Sequence, residues 1–301
     1  MSLQFLADGV LAGAMIGLGA IGVTLTYSIL RFSNFAHGEF ISWGAYAALL
    51  AAGAIGALAP AAAAPLGPFS FGASLVAALV IAMALTAALA LALDFILFRY
   101  LRASASITIV MASFGASMAL RALLEFLFTS RPAYFSRDLQ IAMPIVLGVR
   151  VTPDQIALLV MTAVLMLGVH MLLTRTQTGR AMRAVSENPA LARLAGIDAA
   201  QVIRITWALG GALACAAGVM LGLLVQIRPY MGFDLLLPLF AAAILGGIGS
   251  VPGALAGALI VGVAEAAAVE LIGAQWRAAV AFLLLIAVLL VKPAGLFGSK
   301  D

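Results

Sequence analysis

The sequence has few charged residues: they make up 9% of 301 residues, whereas a soluble domain carries about a quarter. Hydrophobic residues make up 65%. So few charges could not cover the outside of a soluble protein of this length, so the chain is expected to be surrounded by lipid. Its apolar residues come in runs near or above the ~20 residues that cross a bilayer as a helix. Strand-like alternation is absent, which favours a helical bundle over a β-barrel.

Cysteine and histidine are also scarce, which limits the chemistry available to an enzyme or a metal site. The one cysteine, Cys215, lies inside an apolar run, so no disulfide can form within the chain. The two histidines, His37 and His170, lie in different segments, and the His-Glu-x-x-His pattern of zinc sites is missing. The Gly-x-Ser-x-Gly motif of a serine nucleophile is missing too. We therefore predict no catalytic residue, no metal and no cofactor.

Nine apolar segments predict an all-α polytopic membrane protein with about eight to ten transmembrane helices in one domain, residues 1–301. They cover residues 7–30, 38–59, 73–98, 105–128, 153–173, 203–226, 235–249, 252–272 and 277–292. The second and seventh segments are the weakest and are candidates for broken or re-entrant helices. The first run carries Asp8 and follows no basic residue, so it is expected to remain as a span rather than to be a cleaved signal peptide.

Basic residues predict the orientation, because cytoplasmic loops of membrane proteins are enriched in Lys and Arg. With nine spans, most of them fall on one side, which is then cytoplasmic and holds the C-terminus. These are Arg99, Arg102, Arg175, Arg180, Arg183, Arg193, Arg204, Lys292 and Lys300. Arg131, Arg137 and Arg150 fall on the outer side with the N-terminus, against the rule. The net charge of +4 thus reflects topology and indicates no nucleic-acid partner.

Glycines recur every fourth residue in three places, which leaves bare backbone on one helix face and allows close helix contact. The stripes are Gly9, Gly13 and Gly17; Gly249, Gly253 and Gly257; and Gly218 with Gly222. Packing within the bundle and contact with a second membrane subunit both fit this spacing.

The longest polar connection, residues 174–207, predicts two short helices at the cytoplasmic surface. Thr178 is expected to cap the first, which runs from Gly179 to about residue 186. Asn188, followed by Pro189, caps the second, and Gly196 suits its C-terminal turn. Asp198 caps the next span. The segment is either a basic loop against anionic lipid headgroups or a docking surface for a cytoplasmic partner.

Several charges fall within apolar runs and should face the interior or a wet cavity. Arg121 and Glu125, one turn apart, are expected to neutralise each other, and Asp94 is expected to meet Arg99. Glu265 follows a glycine stripe and is the better candidate for lining a pathway or an interface.

The stretch "RFSNFAHGEF" places several polar residues at a corner between two apolar runs. Ser33 and Asn34 are expected to cap a helix start, and Gly38 to permit close packing or a break. His37 and Glu39 then lie in the first turn, where a carboxylate favours the positive helix end. Whether His37 fixes this corner or touches substrate is open, with the structural role preferred.

Three stretches resemble permeases of the branched-chain amino acid family of ABC importers, and most closely the smaller, high-affinity permease subunit. "LTYSILRFSNFAHGEFISWGAY" is similar to the N-terminal signature of the family, and "FAAAILGGIGSVPGALAGALIVGVAE" to its later glycine-rich block. "TGRAMRAVSENPALARLAGID" is similar to its cytoplasmic coupling segment, here 174–204. The resemblance implies a homologous second permease, two cytoplasmic ATPases and an external solute-binding protein as partners, in a bacterial inner membrane.

The resemblance also implies that ATPase docking falls on this coupling segment. The residues carried over are Gly179, Arg180, Arg183, Glu187, Asn188, Pro189, Leu191, Arg193, Leu194, Gly196 and Asp198. Asn34, His37, Gly38, Glu39 and Glu265 are the pathway or corner candidates. The chain itself has no Gly-x-x-x-x-Gly-Lys-Ser/Thr loop, so ATP hydrolysis is expected on separate subunits.

Two alternatives to an importer of branched-chain or other hydrophobic amino acids remain at this point. Relatives with the same blocks carry urea or other small polar solutes. A stand-alone ion-coupled transporter would need its own coupling-ion site, commonly with an internal repeat. The carboxylates here are dispersed and no convincing repeat is visible, so that alternative is the less favoured one.

Overall fold

The computed structural model describes residues 3–136, 140–144, 148–292 and 294–297, and helices make up nearly all of it. In chain order the α-helices are α1 Gln4–Leu30, α2 His37–Leu58, α3 Pro60–Ala63, α4 Ala73–Leu93, α5 Arg99–Leu101, α6 Ser106–Phe128, α7 Pro153–Arg175, α8 Gln177–Glu187, α9 Pro189–Leu194, α10 Ala199–Leu224, α11 Met231–Gly246, α12 Val251–Ile272 and α13 Arg277–Val291. A π-helical turn, Asp94–Phe98, joins α4 to α5, and a 3₁₀ turn, Ala274–Trp276, precedes α13. Two short strands, β1 Met143–Pro144 and β2 Arg150–Val151, pair antiparallel. Arg137 and Lys300, used above for orientation, lie outside the described residues.

All nine predicted segments are helical, and within the described residues eight helices are long and apolar enough to span a membrane. The ninth is α11, which has 16 residues and contains Pro238, so it is shorter than a full span, as its weak sequence signal indicated. The break considered for the second segment is wrong, because α2 is one continuous helix of 22 residues. Helix α10 begins at Ala199, four residues before the apolar segment, because Asp198 caps it as expected.

The core is built around α1, which packs against α10, α11 and α12. A Cβ on Gly9 would lie 2.6 Å from the Cα of Val263, and one on Gly13 would lie 2.9 Å from that of Leu259. These glycines therefore let α1 and α12 touch backbone to backbone. Gly17 faces the methyl end of Met166 on α7. The first stripe is thus used within the chain, not against a second subunit.

The second glycine stripe has two helical members rather than three. Gly253 and Gly257 pack on α11, where added Cβ atoms would lie 2.3 Å from the Gly246 oxygen and 2.2 Å from the Ala242 oxygen. Gly249, expected to belong to the same face, precedes α12 and has a φ of +96°. Its role is to allow a left-handed turn between α11 and α12, which a residue with a side chain rarely adopts.

The chain re-enters the bundle after α1. Residues 31–36 form a non-helical segment that brings His37 against Gly22. Gly22 lies eight residues before the end of α1, which corresponds to about 12 Å along a helix. Helix α2 therefore begins inside the bundle. Non-helical backbone at this depth is tolerated because surrounding protein covers it.

The termini of the helices sort into two ends of the bundle. One end, called here the arginine-rich end, carries Arg31, Arg102, Arg180, Arg193 and Lys292. Arg102 and Arg193 line the same cavity of about 200 Å³, and Arg31 donates a hydrogen bond to the Ser186 oxygen on α8. The opposite end carries Arg131 and Arg150; here the Arg150 oxygen accepts a hydrogen bond from Gln4 near the start of α1.

Candidate functional site

The first candidate site is a junction where the N-termini of α2 and α11 meet inside the bundle. The hydroxyl of Ser42 accepts a hydrogen bond from the Gly232 N–H at 3.0 Å and donates one to the Pro229 oxygen at 2.9 Å. A Cβ on Gly232 would lie 1.8 Å from the Gly38 oxygen, so only glycine permits this approach. The close packing expected of Gly38 is present. Two helix N-termini, each with a partial positive charge, thus converge at one place.

Glu39, in the first turn of α2, supplies the negative charge at this junction. Its side chain is fully buried. One carboxylate oxygen accepts hydrogen bonds from the Arg121 Nη2 at 2.6 Å and from the Ser117 hydroxyl at 2.8 Å. Its other oxygen has no hydrogen bond within the described part of the chain. The carboxylate therefore joins α2 to α6, and its negative charge lies beside the partial positive charges of the two helix N-termini.

Arg121 pairs with Glu39 and not, as expected, with Glu125. Its guanidinium carbon also lies 4.1 Å from the ring centre of Phe233 and 5.2 Å from that of Tyr230. This arginine thereby links α6 to the start of α11. The sequence contained a signal for it: Ser113, Ser117 and Arg121 recur every fourth residue and mark one polar face of α6.

His37 lies in the core at the same junction. Its ring contacts Gly22 on α1 and lies near Gly210 on α10, and its Nε2 has no hydrogen bond to any described residue. The expected caps are wrong in detail, because Ala36 occupies the N-cap position of α2 and none of the described side chains caps it. Asn34 instead accepts a hydrogen bond from the Ala36 N–H at 3.1 Å, which turns the chain before the helix.

The second candidate site is a platform formed by α8 and α9, residues 177–194, at the arginine-rich end. Asn188 accepts hydrogen bonds from the N–H groups of Ala190 and Leu191, both at 3.0 Å, and Pro189 follows it, as expected. Asp198 caps α10 and Gly196 has a φ of +80°, again as expected. The cap predicted at Thr178 is wrong. Thr176 fills that role, and its hydroxyl accepts from the Gly179 N–H at 3.1 Å.

The platform is firmly attached to the transmembrane helices. Arg183 donates to the Leu173 oxygen of α7 at 2.6 Å. A Cβ on Gly179 would lie 2.2 Å from the same oxygen, so α8 lies directly on the end of α7. Met182 and Val185 are buried beneath it. A displacement of α8 must therefore also displace α7 and the neighbouring helix ends.

The outer face of the platform combines apolar and basic side chains. Leu191 and Leu194 are 63% and 86% exposed, and Arg180 and Arg193 are exposed beside them. Glu187 and Pro189 are exposed as well. A fixed surface with prominent leucines amid positive charge is typical of a protein contact.

The remaining charged candidates divide between the two ends. At the arginine-rich end, Asp94 pairs with Arg102 at 2.5 Å rather than with Arg99, because Arg99 lies over the Phe95 ring instead. Towards the opposite end, Glu265 on α12 accepts a hydrogen bond from the Arg277 Nε at 2.7 Å. Among the described residues, no cluster of three His, Cys, Asp or Glu side chains is placed to hold a metal ion.

Comparison with known proteins shows the family to which this sequence is similar. The family described as "Branched-chain amino acid transport system / permease component" matches residues 5–289. This chain belongs to that family. It is 34% identical to the high-affinity branched-chain amino acid transport system permease protein BraD of Pseudomonas aeruginosa, over 99% of this chain and 96% of the relative. Identity to LivH of Escherichia coli K12 is also 34%, with the same coverage. A probable branched-chain amino acid transport permease of Methanocaldococcus jannaschii is 27% identical over 98% of this chain and 92% of the relative.

Proposed function

We propose that this chain is the permease subunit of an ATP-driven importer for branched-chain amino acids. It forms half of a translocation pathway with a homologous second permease. Two ATPase subunits bind at the arginine-rich end, which faces the cytoplasm, and an external solute-binding protein delivers substrate to the opposite end. The N-terminus then lies outside and the C-terminus inside, in the cytoplasmic membrane.

The observation that carries the proposal is the platform. Its two helices start at side-chain or proline caps, its buried face is fixed to α7, and its exposed face carries Leu191 and Leu194. A loop that only touched lipid headgroups would need positive charge but not this defined shape. The positive charge of the same end agrees with a cytoplasmic location.

The mechanism follows from how the platform is attached. When ATP binding draws the ATPases together, they displace α8 and α9 as a rigid body. The bond from Arg183 to Leu173 transmits this movement to α7, and the bond from Arg31 to Ser186 transmits it to the segment between α1 and α2. That segment leads directly into the junction of α2 and α11. The junction is therefore the place where the pathway changes between its two openings.

Charge placed on the exposed leucines tests the docking role. We expect Leu191→Asp with Leu194→Asp to abolish co-purification of the ATPase subunits, because the substitutions place carboxylates in an apolar contact but touch no buried group. Arg183 is less suitable for this test, since it also holds the platform to α7.

Leu58 provides a matched control. It is 88% exposed, at the end of α2, so Leu58→Asp makes the same chemical change away from the platform. Its ATPase association should equal that of the wild type. Full association of the Leu191→Asp, Leu194→Asp variant, measured at equal membrane insertion, would show that the platform is not the docking surface.

A further inference from the structure

A cavity of about 530 Å³ lies between α1, α11, α12 and the start of α13. Its volume falls in the range of about 300–1,000 Å³ that small-molecule sites occupy. Glu265 lines the cavity, three residues after Gly262 on α12. Gly262 packs between Gly9 and Gly13 near the start of α1. The cavity therefore lies in the half of the bundle remote from the platform. The proposed function brings substrate in from this side.

One wall of the cavity is apolar and the other is charged. Met15, Ile16, Leu235 and Pro238 form an aliphatic surface of buried side chains. Glu265 and Arg277 form the charged wall, and Arg228 and Asp234, 3.8 Å apart, line it near the exposed edge. A ligand that fits both walls has an aliphatic part and a charged part.

Glu265 is the residue on which the argument for a ligand depends, because its side chain is only 1% exposed and one of its two carboxylate oxygens accepts no hydrogen bond within the described residues. Its Oε2 accepts the Arg277 Nε–H at 2.7 Å. Its Oε1 has no hydrogen-bond partner within the described residues. A buried carboxylate oxygen without a donor is costly, so a donor arriving with a ligand is favoured there.

Arg277 offers the complementary group. A guanidinium has five N–H donors, and the contact with Glu265 uses one of them. Its side chain is 49% exposed, so the remaining donors are accessible to a ligand carboxylate. The Glu265 Oε1 can accept hydrogen bonds from the ammonium of an amino acid, and the remaining N–H groups of Arg277 can donate to its carboxylate. A zwitterion also adds no net charge, which limits the cost of holding four charges together.

We propose that this cavity is an amino-acid binding site within the permease itself. It holds the substrate ammonium on Glu265 Oε1, the carboxylate on Arg277, and the branched side chain against Met15, Ile16 and Leu235. The inference rests on the proposed function and deepens it, since substrate selection is then not left to the external binding protein alone. An uncharged solute such as urea has neither an ammonium to pair with Glu265 nor a carboxylate to pair with Arg277.

Direct binding tests the site. The complete importer is placed in lipid nanodiscs without the solute-binding protein, and tritiated L-leucine binding is measured by scintillation proximity. We expect saturable binding by the wild type and at least tenfold weaker binding by Glu265→Gln. Unlabelled 4-methylpentanoate, which lacks the ammonium, and isopentylamine, which lacks the carboxylate, should each compete at least tenfold less well than leucine. Urea should not compete.

Two further variants distinguish loss of the binding site from general disruption of the protein. Glu125→Gln makes the same change on α6, outside the cavity wall, and it should bind leucine as the wild type does. Ala278→Phe fills the cavity from an exposed lining position and should abolish binding with Glu265 intact. Elution of each complex from a sizing column checks assembly.

ATP-driven leucine uptake with the binding protein, measured on the same purified importer in sealed proteoliposomes, distinguishes the two proposals. Intact uptake without saturable binding by the wild type overturns the cavity site alone. Wild-type affinity in both Glu265→Gln and Ala278→Phe overturns it as well. Absence of uptake overturns the proposed function, and the site with it.

Discussion

The carboxylate of Glu39 and the guanidinium of Arg121 lie 2.6 Å apart and join α2 to α6 inside the bundle. They are separated by 82 positions in the sequence. Arg121 also lies over Phe233 of α11, so a single side chain holds three helices together at the point where α2 and α11 begin. The ion pair thus adds to the Ser42 hydrogen bonds and to the close contact of Gly38 with Gly232 in holding the junction.

We predict that Arg121→Met destabilises the protein strongly, by about 3–5 kcal/mol, because it leaves the Glu39 carboxylate buried and unpaired. The double variant Glu39→Gln with Arg121→Met should recover much of the loss, since both charges are then gone. Thermal unfolding in detergent, followed by circular dichroism, measures the difference. Independent, additive effects of the two substitutions would contradict the pairing. Glu125→Gln, one turn from Arg121, should lower the free energy of unfolding less than Glu39→Gln does.

We predict that Gly232→Ala separates the N-termini of α2 and α11, because its Cβ would lie 1.8 Å from the Gly38 oxygen. The expected cost is about 1–3 kcal/mol, together with a loss of uptake. Gly115→Ala on α6 is the matched control, since no atom of the described residues lies within 4 Å of its added Cβ. It should be neutral or slightly stabilising, because alanine favours a helix by up to about 1 kcal/mol over glycine. Equal effects of both substitutions would rule out the close contact.

We predict that Asn188→Ala weakens α9 by about 1 kcal/mol, because the two N–H groups at its start lose their acceptor. ATP-driven uptake and ATPase co-purification should both fall, while insertion into the membrane stays normal. Asn188→Ser keeps an oxygen at the cap and should retain most of both activities. If the alanine and serine variants behave alike, the cap does not shape the docking surface.

Cysteine labelling tests the orientation. Cys215 is fully buried, so a membrane-impermeant maleimide should not react with the unmodified chain. A cysteine introduced by Leu194→Cys should react only in inside-out vesicles stripped of ATPases, and one introduced by Leu58→Cys only in right-side-out vesicles. The reverse pattern would place the platform outside the cell and contradict the proposed topology.

Composition and periodicity predicted the helices well, because lipid imposes a long apolar run on every span. Local signals also served well: Asn188, Pro189, Gly196 and Asp198 occupy the predicted cap and turn positions, since such roles depend on the immediate backbone. The first glycine stripe packs within the chain, which is one of the two roles that its spacing allowed.

Contacts between distant segments were the part that the sequence did not yield. Arg121 has Glu125 one turn away yet pairs with Glu39, and Asp94 pairs with Arg102 rather than Arg99. In each case the tertiary arrangement decides between carboxylate and arginine partners that the sequence leaves equivalent. The return of residues 31–36 into the bundle was only partly indicated: the second segment was a candidate for a re-entrant helix, but the polar residues before it indicated no more than a corner between two apolar runs.

Leucine uptake into sealed proteoliposomes is the direct test of whether this chain is the permease of an ATP-driven importer. We expect uptake to require the second permease, the ATPases, ATP and the solute-binding protein. Leu191→Asp with Leu194→Asp should abolish it, and Leu58→Asp should not. Uptake by this chain alone, driven by an ion gradient without ATPases, would show that it is not such a subunit.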